Sequence, residues 1–209
     1  MDDNSTKTRI LLTAEKLFAL QGVDAVSLRK ISSAAGQKNK TAAQYHFGSK
    51  EGLIEAIFAY RATAINDHRQ RLLDELMESS DITLYKLIEA ILKPFIELLL
   101  DEKGGRHYVH ITAELFGQGK AVSQLSKFHP QSDTHPRLFK LIAEQLDHLP
   151  KKILVQRALF MSLLLAQSSA AKDIEMKELK PGQRKQHIKK FSHELITFVV
   201  GGMSAPLSE

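Results

Sequence analysis

Apolar residues recur at helical spacing from one end of the chain to the other. Ile10, Leu11, Ala14, Leu17 and Phe18 form one stripe, stopped by Gly22. Ser27 is a suitable cap for a short second helix that turns Leu28, Ile31 and Ala35 inward, and Gly36 ends it. Asn39 caps a third short helix to Phe47, and Ser49 caps a long fourth carrying Leu53, Ile57, Ile65, Leu72 and Leu76. Further on, Asp81 caps a helix to about Leu100, bent at Pro94, where the backbone lacks a donor. Gly104-Gly105 opens a helix to Phe116. Residues 119–135 read as a loop with a short helix around Val122–Phe128. Helices follow over about 136–148, from Pro150 to about Ala171, and from Pro181 to about Val200. No alternating strand pattern, repeat or low-complexity tract interrupts this. The pattern predicts an all-α protein of about nine helices.

Composition narrows the function. The 209 residues suffice for a core without staples, and the chain has no cysteine, which excludes a disulfide scaffold, a thiolate zinc site and a cysteine nucleophile. No apolar run approaches the roughly 20 residues of a membrane span; the richest, Ile153 to Ala171, is broken by Gln156, Arg157 and Gln167. Met1-Asp2-Asp3-Asn4 does not resemble a secretory leader, so a cytoplasmic protein without membrane contact is expected. The net charge of +5 is concentrated: residues 1–50 hold eight Lys/Arg and four acids, and 25–50 hold five basic residues and no acid. Such a segment is the electrostatic footprint of an anionic partner, although charge alone is equally compatible with a solvated face.

The three short N-terminal helices, with a glycine turn between the second and third, predict a helix-turn-helix. In the third, Ala43 and Phe47 lie four apart and are expected to face a small core with Leu17, Phe18, Leu28 and Ile31. Lys40, Thr41, Gln44 and Tyr45 then point outward together. That edge suits a major groove: Gln pairs with adenine, Thr meets a thymine methyl, and Lys reaches guanine or phosphate. Ser27 and Arg29 on one side, and Tyr45, His46 and Lys50 on the other, are candidate phosphate contacts, Lys50 lying beside the amides that open the fourth helix.

Thr8-Arg9-Ile10-Leu11, Leu17-Phe18, Gly22, Ser27-Leu28-Arg29-Lys30-Ile31, Ala35-Gly36 and Tyr45-His46-Phe47-Gly48-Ser49-Lys50-Glu51-Gly52-Leu53 together resemble the TetR/AcrR family of bacterial transcriptional regulators. The resemblance covers about the first 60 residues. It implies a DNA-binding domain over 1–50 and a helical ligand-binding and dimerisation domain over 51–209. It also implies a homodimer that represses promoters until a small molecule releases it. By position, it places Thr41 and Gln44 on bases and Ser27, Tyr45, His46 and Lys50 on phosphates. One departure is the turn: Gln37-Lys38 stands where the family usually has a single apolar residue, as in a subset with a longer turn, so Lys38 could lie against bases or backbone.

The remaining chain carries no family motif. Leu159, Leu163, Ala166, Ser169 and Ala170, and then Phe191, Leu195, Phe198 and Val199, form stripes suited to a dimer interface, part of each serving the chain's own core. A two-fold dimer predicts a palindromic double-stranded operator. Phe95, Leu99, Tyr108, Ile111, Phe116 and Met161 are candidates for the wall of an effector pocket, and their character suggests a hydrophobic or amphipathic ligand. The fourth helix is the natural lever between pocket and DNA. His107, His110 and Glu114 share a spacing that could bind a divalent ion, and His129 and His135 flank a loop, but no signature supports a metal and no cofactor is expected. The rival readings are an all-α enzyme, for which no nucleophile elbow, phosphate loop or HExxH is present, and a helical adaptor without a DNA role.

Overall fold

The computed structural model describes residues 3–79, 81–119 and 133–207. Among them are nine α-helices and no strand: α1 (Asp3–Gln21), α2 (Leu28–Ala34), α3 (Ala42–Phe47), α4 (Lys50–Ser79), α5 (Leu84–Ile96), α6 (Gly105–Gly117), α7 (Thr134–Gln145), α8 (Lys151–Glu175) and α9 (Pro181–Ser204). A 3₁₀ turn over Glu97–Leu100 follows α5. The all-α expectation holds. The helix expected around Val122–Phe128, and His129, lie outside the described residues.

The described residues fall into two compact units, one drawn from Met1–Thr63 and Asp101–Pro130, the other from Ala64–Leu100 and Gln131–Glu209. In the first unit α1 packs on α6, α2 and α3. Ile10, Ala14, Phe18, Val26, Ile31, Ala43, Leu53 and Ile57 are fully buried there. A buried ionic cluster joins three of its segments. Arg61 on α4 donates through Nε and Nη2 to both carboxylate oxygens of Glu15 at 2.7 Å, and through Nη1 to Asp101 at 3.1 Å. The two-pronged geometry offsets part of the desolvation of the two charges. Burial still pushes the Glu15 carboxyl above its ordinary value against the pull of Arg61. Asp101 also accepts the Lys103 and Gly105 amides at 2.8 and 2.9 Å, fixing the start of α6. Between them Gly104 has φ +114°, and a Cβ there would stand 2.5 Å from Arg61 Nη2, so only glycine fits.

In the second unit α5 is buried nearly all round and packs on α7, α8 and α9. Its start differs from expectation: Thr83, not Asp81, is the cap, accepting the Lys86 amide, while Asp81 pairs with the Lys86 ammonium. Its end differs as well, since the chain tightens into the 3₁₀ turn after Ile96 instead of continuing as α-helix to Leu100. Near Pro94, the Ile91 carbonyl accepts Nε and Nη2 of buried Arg69 at 3.2 Å. By length and composition alone α8 is long and apolar enough to cross a membrane, contrary to the sequence expectation; core helices of soluble proteins pass the same test. Here α8 packs on α9.

Candidate nucleic-acid interface

The interface is built from α2, its turn and α3. Ser27 is the N-cap of α2: its backbone is extended and its Oγ accepts the Lys30 amide at 3.2 Å. At the other end Gly36, with φ +68°, lets the chain reverse. The Gly36 amide donates to the Ser33 carbonyl at 3.1 Å and the Gln37 amide to the Ser32 carbonyl at 3.0 Å, the paired bonds of a Schellman ending. The two-residue turn Gln37-Lys38 is accommodated there, with Lys38 exposed.

α3 is shorter than the sequence suggests. Asn39 does not cap it directly; its side chain accepts the Thr41 amide at 2.9 Å and the Thr41 hydroxyl at 2.7 Å, closing a turn from which the helix starts at Ala42. Thr41, the residue in the cap position, makes no side-chain cap bond. The cap comes from another helix. Fully buried Ser32 on α2 accepts the Ala43 amide at 2.9 Å and donates its own proton to the Leu28 carbonyl at 3.0 Å. Sequence reasoning missed Ser32. The available signal was a serine next to core residue Ile31, where a second inward residue of α2 would be apolar.

The two faces of α3 separate as expected, with one change of emphasis. Ala42 and Ala43 are 7% and 0% exposed and seat the helix. Phe47, expected to share that role, is only half-buried, with Lys7 Nζ 5.7 Å above its ring. Lys40, Thr41 and Gln44 are exposed. Tyr45 is 82% exposed, which decides against an aromatic pair packed into the core; the His46 ring meets its edge at 5.1 Å and is half-buried. Ser27 and Arg29 are exposed on the α2 side. Lys50 differs. Its Nζ donates to the Val23 and Asp24 carbonyls at 3.0 and 3.2 Å, so in this structure its charge holds the α1–α2 loop. An exposed edge of Lys, Thr, Gln and Tyr flanked by cationic and hydroxyl donors can read base edges and grip phosphates.

The other candidates are placed as follows. Tyr108, Ile111 and Phe116 are buried in the first unit, and Phe95, Leu99 and Met161 in the second. A groove of about 830 Å³ runs along α1 in the first unit, lined by Asn4, Thr8, Arg9, Leu12, Lys16, Leu17 and Ala34 among others, and it includes none of those six. Ala166, Ser169, Ala170, Leu195 and Val199 lie inside this chain's own core, Leu159, Leu163 and Phe191 are half-buried, and Phe198 is 69% exposed. Val155 and Phe160 on α8 are likewise more than half exposed. Of the histidine group, Glu114 is engaged elsewhere: its Oε1 accepts the Val23 amide at 2.9 Å. Burial, then Lys16, Arg106, His110 and Arg61, holds His107 below the usual imidazole value. Among the described residues no cluster of three or more potential metal ligands occurs.

The helix-turn-helix of α2 and α3, with this edge, defines a DNA-binding regulator. The chain matches the model of bacterial regulatory proteins of the tetR family over residues 10–57 and that of the tetracyclin repressor-like C-terminal domain over 89–202. The second match alone spans more than half of the sequence, and the chain belongs to the TetR family. It is therefore a regulatory protein and not an enzyme. Two solved structures share the fold. A TetR-family transcriptional regulator from Rhodococcus sp. is 20% identical, with 94% of this chain and 99% of that one covered and a TM-score of 0.55. NalD, the secondary repressor of the MexAB-OprM multidrug efflux pump in Pseudomonas aeruginosa, is 22% identical, with 92% and 97% covered and a TM-score of 0.55. No curated protein matches the sequence.

Proposed function

We propose that this protein is a cytoplasmic, dimeric transcriptional repressor that reads a palindromic operator with α3 and leaves it when a small apolar molecule binds within residues 51–209. Residues 1–50 form the DNA-binding part, with Lys40, Thr41 and Gln44 on bases and Ser27, Arg29, Tyr45 and His46 on phosphates. The observation that carries this reading is the division of α3, with Ala42 and Ala43 buried and Gln44 and Tyr45 exposed beside Lys40 and Thr41, which precede it. Lys50 supports the same contact less directly, by holding the loop between α1 and α2. Dimerisation supplies the discrimination that one short helix lacks, since each wrong base pair costs only about 1–3 kcal/mol. Release requires the effector to favour the unbound arrangement by about 1–3 kcal/mol.

The test is a mobility shift and footprint on the DNA upstream of the protein's own gene. The expected result is an inverted repeat whose affinity falls steeply with salt. Gln44→Ala should change base preference, while Arg29→Ala should weaken all sequences alike. Equal losses across sequences for both variants, or a footprint on a single half-site, would overturn the assignment.

A further inference from the structure

The N-terminal segment is not the only place where positive charge collects. Residues 179–193 contain Lys180, Arg184, Lys185, Lys189 and Lys190 without a single acid, denser than the five basic residues of 25–50. Lys185, Lys189 and Lys190 are exposed on the first half of α9 and have no ion-pair partner among the described residues. Arg184 is different, for its guanidinium donates to the Leu179 and Lys177 carbonyls in the turn between α8 and α9. No acid stands in the first turn of α9 to neutralise this stretch.

We propose that this face of α9 is a second polyanion-binding surface, taking the phosphate backbone of a nucleic-acid duplex without regard to sequence. The composition of the face selects that partner. Gly182, Gln183, Lys185, Gln186, His187, Lys189 and Lys190 are all exposed, and Ile188, the apolar member of the stretch, is buried. An interfacial helix needs an apolar face to insert into lipid, and residues 182–190 present none, Ile188 being buried. A protein partner would need an aromatic or aliphatic anchor at the centre of the contact, and none is offered. A phosphate backbone asks only for spaced cations, and each one neutralised releases counterions. Lys185 and Lys189, one helical turn apart, with Lys190 adjoining, supply three. The surface is independent of base reading by α3, so it holds whether or not the operator is palindromic.

The experiment is fluorescence anisotropy of the full chain on a labelled duplex of arbitrary sequence, titrated with salt. The wild type is compared with K185Q/K189Q/K190Q and with the charge reversal K185E/K189E/K190E. The positions are exposed, so both variants should keep the wild-type helical circular dichroism. The expected result is a log–log salt dependence shallower in the glutamine variant by about 0.9 for each lysine that meets a phosphate, up to about 2.7 in all. Charge reversal should weaken binding further, and the difference should persist in a chain that also carries Gln44→Ala. Equal salt slopes and affinities for wild type and variants would overturn the proposal. So would a loss confined to phosphatidylserine–phosphatidylcholine vesicles with duplex binding unchanged.

Discussion

The carboxylate of Glu114 accepts the backbone amide of Val23 at 2.9 Å, tying α6 to the loop between α1 and α2. The carbonyl of the same Val23 accepts Lys50 Nζ, so one buried residue is held from both sides by side chains of different helices. Either bond involves a charged group and is worth about 1.5–3 kcal/mol. Lys50→Ala should therefore lower the urea midpoint measurably, whereas Arg29→Ala, at an exposed site, should leave it within about 0.5 kcal/mol. If Lys50→Ala is as stable as wild type, its loop contact is unimportant and a direct phosphate role becomes the better account.

Ser32→Ala leaves the Ala43 amide buried without an acceptor. The expected cost is about 1–3 kcal/mol in chemical denaturation. A six-residue helix is too short to stand alone, so the loss should also loosen α3. Discrimination between cognate and mutated operators should fall while the salt dependence stays the same. An unaltered discrimination ratio would reduce Ser32 to an ordinary core contact.

Phe198→Glu tests the proposed association of two chains. The side chain is 69% exposed, so monomer stability should change by no more than about 0.5 kcal/mol. Sedimentation should nonetheless show dissociation into single chains. Leu195→Ala should behave in the opposite way, costing about 2–5 kcal/mol of fold stability because Leu195 is buried within its own chain.

His107 makes stability depend on pH. Burial and the neighbouring Lys16, Arg106, His110 and Arg61 depress its proton affinity in the folded state. The unfolded chain then takes up the proton first. The contribution is complete above about pH 6.5 and is lost as pH falls from there through the folded value. Melting temperatures at about pH 7.5 and about pH 5.5 should converge for His107→Gln relative to wild type. An identical acid-induced drop in both proteins would rule His107 out as the cause.

These residues also mark how far the sequence could be read. Ser27 and Gly36 announce the ends of α2 because capping and chain reversal depend on local chemistry, and the inward stripe of α1 follows from its spacing. The outward edge of α3 was legible for the same reason from Ala43, although its inward companion proved to be Ala42 and not Phe47. The fate of Lys50 was not. A lysine beside a helix start looks free until the loop it grips, 26 residues earlier, is placed in space. Glu114 misled in the same way, since its spacing to His107 and His110 suggested a ligand set while its actual partner was a distant amide. Asp81 was read as the cap of α5, but Thr83, two residues on, takes the Lys86 amide while Asp81 pairs with the Lys86 ammonium, a choice that only the placement of Lys86 decides. For α8 and α9, periodicity identified apolar stripes without distinguishing the Leu195 side from the Phe198 side, because both kinds of residue fall near the same face of a long helix.

The cluster around Arg61 carries an asymmetry that a simple ion pair would lack. Two carboxylates, Glu15 and Asp101, converge on one guanidinium, and the second of them also holds the amides that open α6. Exchanging the charges of residues 15 and 61 would set a carboxylate facing Asp101 with no cation between them. A double mutant that reversed polarity would thus repel where the native chain attracts, and the first unit can accept this network in one handedness only.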